Sequence, residues 1–204
     1  MDVRRIIIIA LFAALLVAGA YVTIPIGPVP ITLQTAFVLL AGVLGGKKIA
    51  GPAIAIYLSL GAMGLPIFSG GIGGFAHFAG PTGGFLISWL AAAPITGYLT
   101  DRGFRIPQET KTDKVSKKQL LWMILGVVVG TLIIYGIGIP YMKFVLSISW
   151  SQALVAGFLP FLPGDLVKIV AVVLLGNLFA RRVREFVQPD KGVEETADEI
   201  NTGN

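Results

Sequence analysis

A carboxylate and an ammonium group, Asp165 and Lys168, are the charged side chains set deepest in the apolar sequence of this chain. At i, i+3 spacing on a helix they share one face. Such a pair can grip a polar ligand, the carboxylate accepting from N–H donors and the ammonium neutralising a ligand carboxylate. The alternative is a pair that satisfies itself and fixes helix packing. Pro163-Gly164 is expected to close one segment, leaving Asp165 to N-cap a helix over Leu166 to Ala180, where its charge suits the helix dipole. Counting back from Arg181 puts Lys168 about 20 Å and Asp165 about 24 Å from the far end of that helix. A charge so placed in a membrane costs on the order of a few kcal/mol unless paired or hydrated, so a functional pocket open to the outside is expected.

Other residues with chemistry to offer are few. Gln34 both donates and accepts, which suits either a polar ligand or an interhelical hydrogen bond. His77 is the single histidine and the chain has no cysteine, so an ordinary metal site lacks its donors and a hydrogen-bonding or packing role is expected. No cofactor is implied. Gly45-Gly46-Lys47-Lys48 departs from a phosphate-binding loop at Ala41, where glycine is needed, and at Ile49, where a hydroxyl is needed. Any ATP-driven work therefore requires a partner subunit. No Ser/His, Cys/His or paired-carboxylate set falls at membrane depth, which argues against an enzyme.

The elements that must position these residues are apolar. Hydrophobic residues make up 55% of the 204, charged residues 13%, and the mean hydropathy is +0.83, so an all-α integral membrane protein is expected. Six uncharged or nearly uncharged stretches recur: Ile6 to Ile24, Ile31 to Gly46, Ile49 to Leu65, Thr82 to Thr100, Leu120 to Ile139 and Gly164 to Ala180. Taken as six transmembrane helices, they form one membrane domain over 1–184, followed by a polar, acid-rich tail over 185–204 that is expected to be disordered. The first run lacks a small-x-small cleavage site, so its helix is expected to be retained.

Six spans put both termini on one side, and the basic residues sort with them. Arg4, Arg5, Lys47, Lys48, the six between Arg102 and Lys118, Arg181, Arg182, Arg184 and Lys191 are fourteen of the sixteen. Positive charge on that side assigns the termini to the cytoplasm of a cell membrane, and contact with anionic lipid explains the clusters better than nucleic acid does. The loop from Asp101 to Gln119 is expected to be solvated. Ile139 to Leu162, with Tyr141, Trp150 and Phe158, reads as an interfacial segment on the outer side.

Between spans three and four lies an outer loop, Gly64 to Gly84, in which eight of 21 residues are glycine. The glycines, Gly74 among them, allow close backbone approach, while Phe68, Phe75 and Phe78 supply apolar surface. Irregular backbone of this kind suits a re-entrant loop or a lid over a small-molecule site, against the alternative of a flexible connector. Span one carries Ala10, Ala14 and Ala18 at four-residue spacing, a strip on which a partner helix could dock or against which the chain's own helices could pack.

Four motifs resemble those of one family. They are Ile24-Pro25-Ile26-Gly27-Pro28-Val29-Pro30-Ile31-Thr32-Leu33-Gln34-Thr35, Gly61-Ala62-Met63-Gly64-Leu65-Pro66-Ile67-Phe68, Gly80-Pro81-Thr82-Gly83-Gly84-Phe85, and Pro160-Phe161-Leu162-Pro163-Gly164-Asp165-Leu166-Val167-Lys168. In this order the chain resembles BioY, the biotin-specific substrate-binding (S) component of energy-coupling factor (ECF) vitamin transporters, over roughly residues 6–180. The resemblance implies a six-helix protein that binds biotin from the outside and associates with a transmembrane coupling protein and two ATPase subunits. It implies that Asp165 and Lys168 are the polar binding pair, that Gln34 and the glycine-rich loop touch ligand, and that the Ala10, Ala14, Ala18 strip meets the coupling protein. On this reading Asp165 accepts from the ureido N–H groups, Lys168 neutralises the carboxylate, and Phe68, Phe75 and Phe78 cover the ring; the two polar roles are exchangeable. Phe85 stands where the family often has tyrosine, and His77 is not equated with a binding residue of the family, although as part of the glycine-rich loop it is counted among the ligand-contacting candidates. A competing reading is a proton-driven secondary transporter with Asp165 as its titrating carboxylate.

Overall fold

The computed structural model describes residues 2–105 and 115–187. Seven α-helices are present among them: α1 (Val3–Tyr21), α2 (Gln34–Gly45), α3 (Lys47–Ala62), α4 (Gly83–Phe104), α5 (Lys117–Leu146), α6 (Trp150–Gly157) and α7 (Leu162–Val187). α1, α5 and α7 are each long and apolar enough to cross a membrane. At 12 residues α2 reaches only about 18 Å, and a single residue, Gly46, separates it from α3. Its expected first turn is instead spent in a hairpin, β1 (Thr23–Ile24) pairing antiparallel with β2 (Ile31–Thr32) around the proline-rich turn.

α2 is the centre of the bundle. It packs against α1, α3, α4, α5 and α7, and every residue from Val38 to Leu44 is buried. A helix apolar on all faces is stable where neighbours cover all faces, which is what its sequence demands. The closest pairing is α4 with α5, and small residues make it possible. A Cβ at Gly84 would enter the ring of Tyr141, and one at Gly138 would enter the ring of Phe85.

The last helix starts earlier than the Pro-Gly pair suggests. α7 opens at Leu162, and Asp165, expected as its N-cap, lies within its first turn with its amide donating to Phe161 O at 2.8 Å. Proline is tolerated there because first-turn amides have no intrahelical acceptor to lose. The expected interfacial segment also changes character. α5 continues through Tyr141 to Leu146, and α6 is started by a capping box in which Ser149 and Gln152 bond reciprocally at 2.9 and 3.2 Å.

At the basic end, Asp101 is not in a solvated loop. α4 carries it to within reach of α7, where its carboxylate pairs with Arg184 Nη1 at 2.5 Å and also accepts from the Lys47 amide at 3.2 Å. Arg184 Nη2 donates to Val43 O at 3.0 Å, and its guanidinium lies 4.3 Å from the Phe104 ring centroid. One ion pair thus ties together the ends of α2, α3, α4 and α7. α7 extends through Glu185 to Val187, into the start of the expected tail. The rest of that tail, from 188, and residues 106–114 of the basic loop lie outside the described residues.

Candidate functional site

At the opposite end, α2, α4, α5 and α7 diverge enough to leave a cavity beneath the β1–β2 hairpin and the α3–α4 loop. About 70 Å³ of it is open to the centres of water-sized molecules, and its mouth reaches solvent. Its walls combine Leu39, Phe85, Leu86, Trp89, Ile134, Phe161 and Ile169 with a limited set of polar groups.

Asp165 and Lys168 stand together in this wall. Lys168 Nζ lies 2.8 Å from Asp165 Oδ1 and donates to Thr35 Oγ1 of α2 at 3.1 Å, while the Tyr135 hydroxyl of α5 donates to Asp165 Oδ2. Three helices therefore meet at two charges, and Lys168 is only 8% exposed. The carboxylate retains lone pairs beyond those two bonds, and the ammonium has a third proton. With the charged atoms in direct contact, the pair presents one net-neutral donor–acceptor unit to the cavity.

Gln34 lines the cavity but is already engaged. Its Nε2 donates to the Tyr57 hydroxyl at 2.5 Å, its Oε1 accepts from Thr32 Oγ1 at 3.2 Å, and Tyr57 donates onward to Ile67 O at 2.9 Å. This chain links α2, α3 and the loop. His77 lines the mouth, its Nε2 3.1 Å from Thr82 Oγ1 and its ring stacked 5.1 Å from Phe68. Burial in this loop holds its pKa below the ordinary histidine value, so the ring is neutral near pH 7.

The loop aromatics divide by position. Phe68 is fully buried beneath the loop, in the space left by Gly61, and is not in the cavity wall. Gly74 is also outside the wall: at φ +103°, a conformation suited to glycine, its amide donates to Gly61 O at 2.7 Å and seats the loop on α3. Phe75 is 78% exposed and directed away, touching Phe78 at 5.9 Å. The aromatic surface facing the cavity comes instead from Phe85, Trp89, Tyr135 and Phe161. Sequence reading passed over Trp89, Tyr135 and Thr35, whose signal was a hydroxyl or indole N–H inside an otherwise apolar stretch. The Trp89 indole N–H is buried and has no hydrogen-bond partner among the described residues, a rare state for a native donor.

Ala10, Ala14 and Ala18 are all exposed, on the side of α1 that no other helix covers. Packing against the chain's own helices, the alternative reading of that strip, is not what the fold provides.

Comparison with known proteins places this arrangement among relatives. The sequence profile described as the BioY family matches residues 1–185. A protein of Rhizobium etli named biotin transporter BioY is 40% identical, the alignment covering 87% of this chain and 93% of that one. One of Thermotoga maritima with the same name is 37% identical over 84% and 93%. A solved structure described as the S-component for biotin from an ECF-type ABC transporter superposes with a TM-score of 0.75 at 29% identity, covering 91% of this chain and 95% of the other.

Proposed function

The chain belongs to the BioY family, and from that premise we propose that it is the biotin-binding component of an energy-coupling factor transporter. It is a membrane transporter and not an enzyme. The observation that carries the binding role is the open-mouthed, largely apolar cavity with a single charged unit, Asp165–Lys168, in its wall. Biotin matches it in kind, with a planar ureido group that both donates and accepts, an apolar thiophane ring, and a flexible chain. The apolar walls suit the ring and chain, and the pair suits the polar end.

In this reading both termini face the cytoplasm of the cell membrane, so the cavity opens outward; the crowding of basic residues at the other end of the bundle supports it. Energy comes from a coupling protein and two ATPase subunits. The exposed Ala10, Ala14, Ala18 strip supports such a partner, because small side chains let a second helix backbone approach closely within lipid. The test is equilibrium binding of biotin to the purified protein in detergent, with riboflavin and thiamine as controls. Selective binding of biotin, weakened in Asp165→Asn and Lys168→Ala, is expected. A folded protein that ignores biotin would sink the assignment.

A further inference from the structure

We propose that the turn joining α2 to α3, together with the end of α4, forms a pocket for a phosphate group, carried by an anionic phospholipid or by a soluble phosphate. The inference goes beyond the biotin-binding reading. It concerns the other end of the bundle and does not depend on what the ligand cavity holds.

A second pocket lies at that end, with about 370 Å³ open to the centres of water-sized molecules, far above the ~10–15 Å³ that a single water needs. Its polar lining is Lys47, Lys48, Asp101, Arg105, Arg184 and Glu185. Asp101 and Arg184 neutralise each other, which leaves Lys47, Lys48 and Arg105 with Glu185 alone. None of those four takes part in an ion pair among the described residues. Three cations against one carboxylate leave an excess of two positive charges round one space. An anion placed there relieves their mutual repulsion.

The backbone that carries these charges is fixed before any ligand arrives. Gly46 turns the chain at φ +67°, and Gly97 of α4 lies so close to the turn that a Cβ there would sit 2.5 Å from the Lys47 nitrogen. The Asp101 carboxylate accepts from the same Lys47 amide at 3.2 Å. Only side chains remain to be ordered on binding, which keeps its cost low. The Gly45-Gly46-Lys47-Lys48 turn lacks the residues of a nucleotide loop, but holding a phosphate needs only cations and room. Phosphate suits the set better than a carboxylate does, because its oxygens can meet two lysine point charges and the planar fork of Arg105 together.

Position favours a lipid as the carrier. Lys47 Nζ lies 5.4 Å from the ring centroid of Tyr98, and the Arg102 guanidinium lies 4.8 Å from the same ring and 6.0 Å from that of Trp122. Tyrosine and tryptophan beside basic residues mark headgroup depth in a membrane protein. Basic pockets between helices at that depth take acidic headgroups. Leu44, Phe104 and Val187, also in the lining, suit the carbons next to such a headgroup.

The experiment reads lipid retained by the intact protein in a neutral detergent, by native mass spectrometry, after incubation with equal amounts of phosphatidylglycerol and phosphatidylcholine of the same chain length. Phosphatidylcholine carries the same phosphate with its charge cancelled by choline. Wild type is expected to retain phosphatidylglycerol about fivefold or more over phosphatidylcholine. Lys48→Glu/Arg105→Glu should abolish the preference, and Lys118→Glu/Arg182→Glu, the same change of charge at the same end but outside the pocket, should keep it. The Lys48 and Arg105 side chains bond to no other described residue, so the fold should survive; Lys48→Gln alone, expected to reduce the preference at least about twofold, decides the matter if the double variant does not fold. Inorganic phosphate that displaces the lipid, where chloride at equal ionic strength does not, supports the pocket and makes the soluble anion its ligand. Lipid that stays bound makes the headgroup its ligand. Equal retention of the two lipids by wild type overturns the proposal. So does a preference that both double variants lose alike, the mark of a diffuse positive surface, or one that neither pocket variant changes.

Discussion

The two acid–base pairs at opposite ends of this bundle have the same chemistry and opposite designs. Asp165 and Lys168 are three residues apart on one helix, and their remaining bonds go to single hydroxyls, leaving lone pairs and a proton to spare. Asp101 and Arg184 are 83 residues apart, and their remaining bonds go to backbone, the Lys47 amide and the Val43 carbonyl, at helix ends that need partners. A local pair leaves the fold little changed when a ligand joins it. A pair that spans the chain is part of how the chain closes. What separates the proposed binding pair from the structural one is where the unused bonding capacity lies, since both pairs are partly buried.

That contrast can be broken most directly at the cavity. Lys168→Ala strands a buried carboxylate, and the expected loss of biotin affinity is more than about a hundredfold by equilibrium titration. Joining it with Asp165→Leu removes both charges; thermal unfolding should then return to near the wild-type midpoint while binding stays absent, since an apolar replacement of a buried pair is close to neutral for stability. Recovery of binding in the double variant would show that the pair is only structural.

Asp101→Asn is the converse experiment. It should lower stability by about 1–3 kcal/mol, read as a lower unfolding midpoint, and leave biotin affinity within about twofold. A large affinity loss in a folded Asp101→Asn protein would erase the distinction between the two ends.

Trp89→Phe keeps the ring in the wall and removes only the unpaired N–H. If ligand supplies the acceptor, affinity falls about tenfold with no loss of stability of the free protein. Unchanged affinity would mean that the donor stays unpaired when the site is filled.

The smallest effect concerns His77. Because its pKa is lowered by burial, the unfolded chain takes up its proton first as pH falls, so its contribution to stability is fully present above the ordinary value of 6.5 and is lost as pH drops through the folded value. Unfolding midpoints measured down the acid range should fall more steeply for wild type than for His77→Gln; parallel curves would refute the role.

Much of the fold was legible because membrane helices announce themselves by length and composition. Asp165 and Lys168 were legible for the same reason, as charges standing out against apolar sequence. What was missed depended on neighbours. Asp101 looked like loop because its partner is remote in sequence, and Phe68 looked like ligand surface because only the fold reveals the glycine-made gap it fills at Gly61. The early start of α7 shows a rule applied too strongly, since a proline in the first turn does not break a helix. The capping box at Ser149 and Gln152, by contrast, was written in the sequence and announces α6.

The cancellation of charge between Asp165 and Lys168 has an electrical consequence. A single unpaired ammonium displaced across a membrane is acted on by the transmembrane voltage with about 2.3 kcal/mol per 100 mV. A carboxylate and ammonium held 2.8 Å apart on one helix move as a unit that carries no net charge. Under the proposed uptake role, a displacement that carried this pair across the membrane and back would do no net work against the transmembrane voltage on its account.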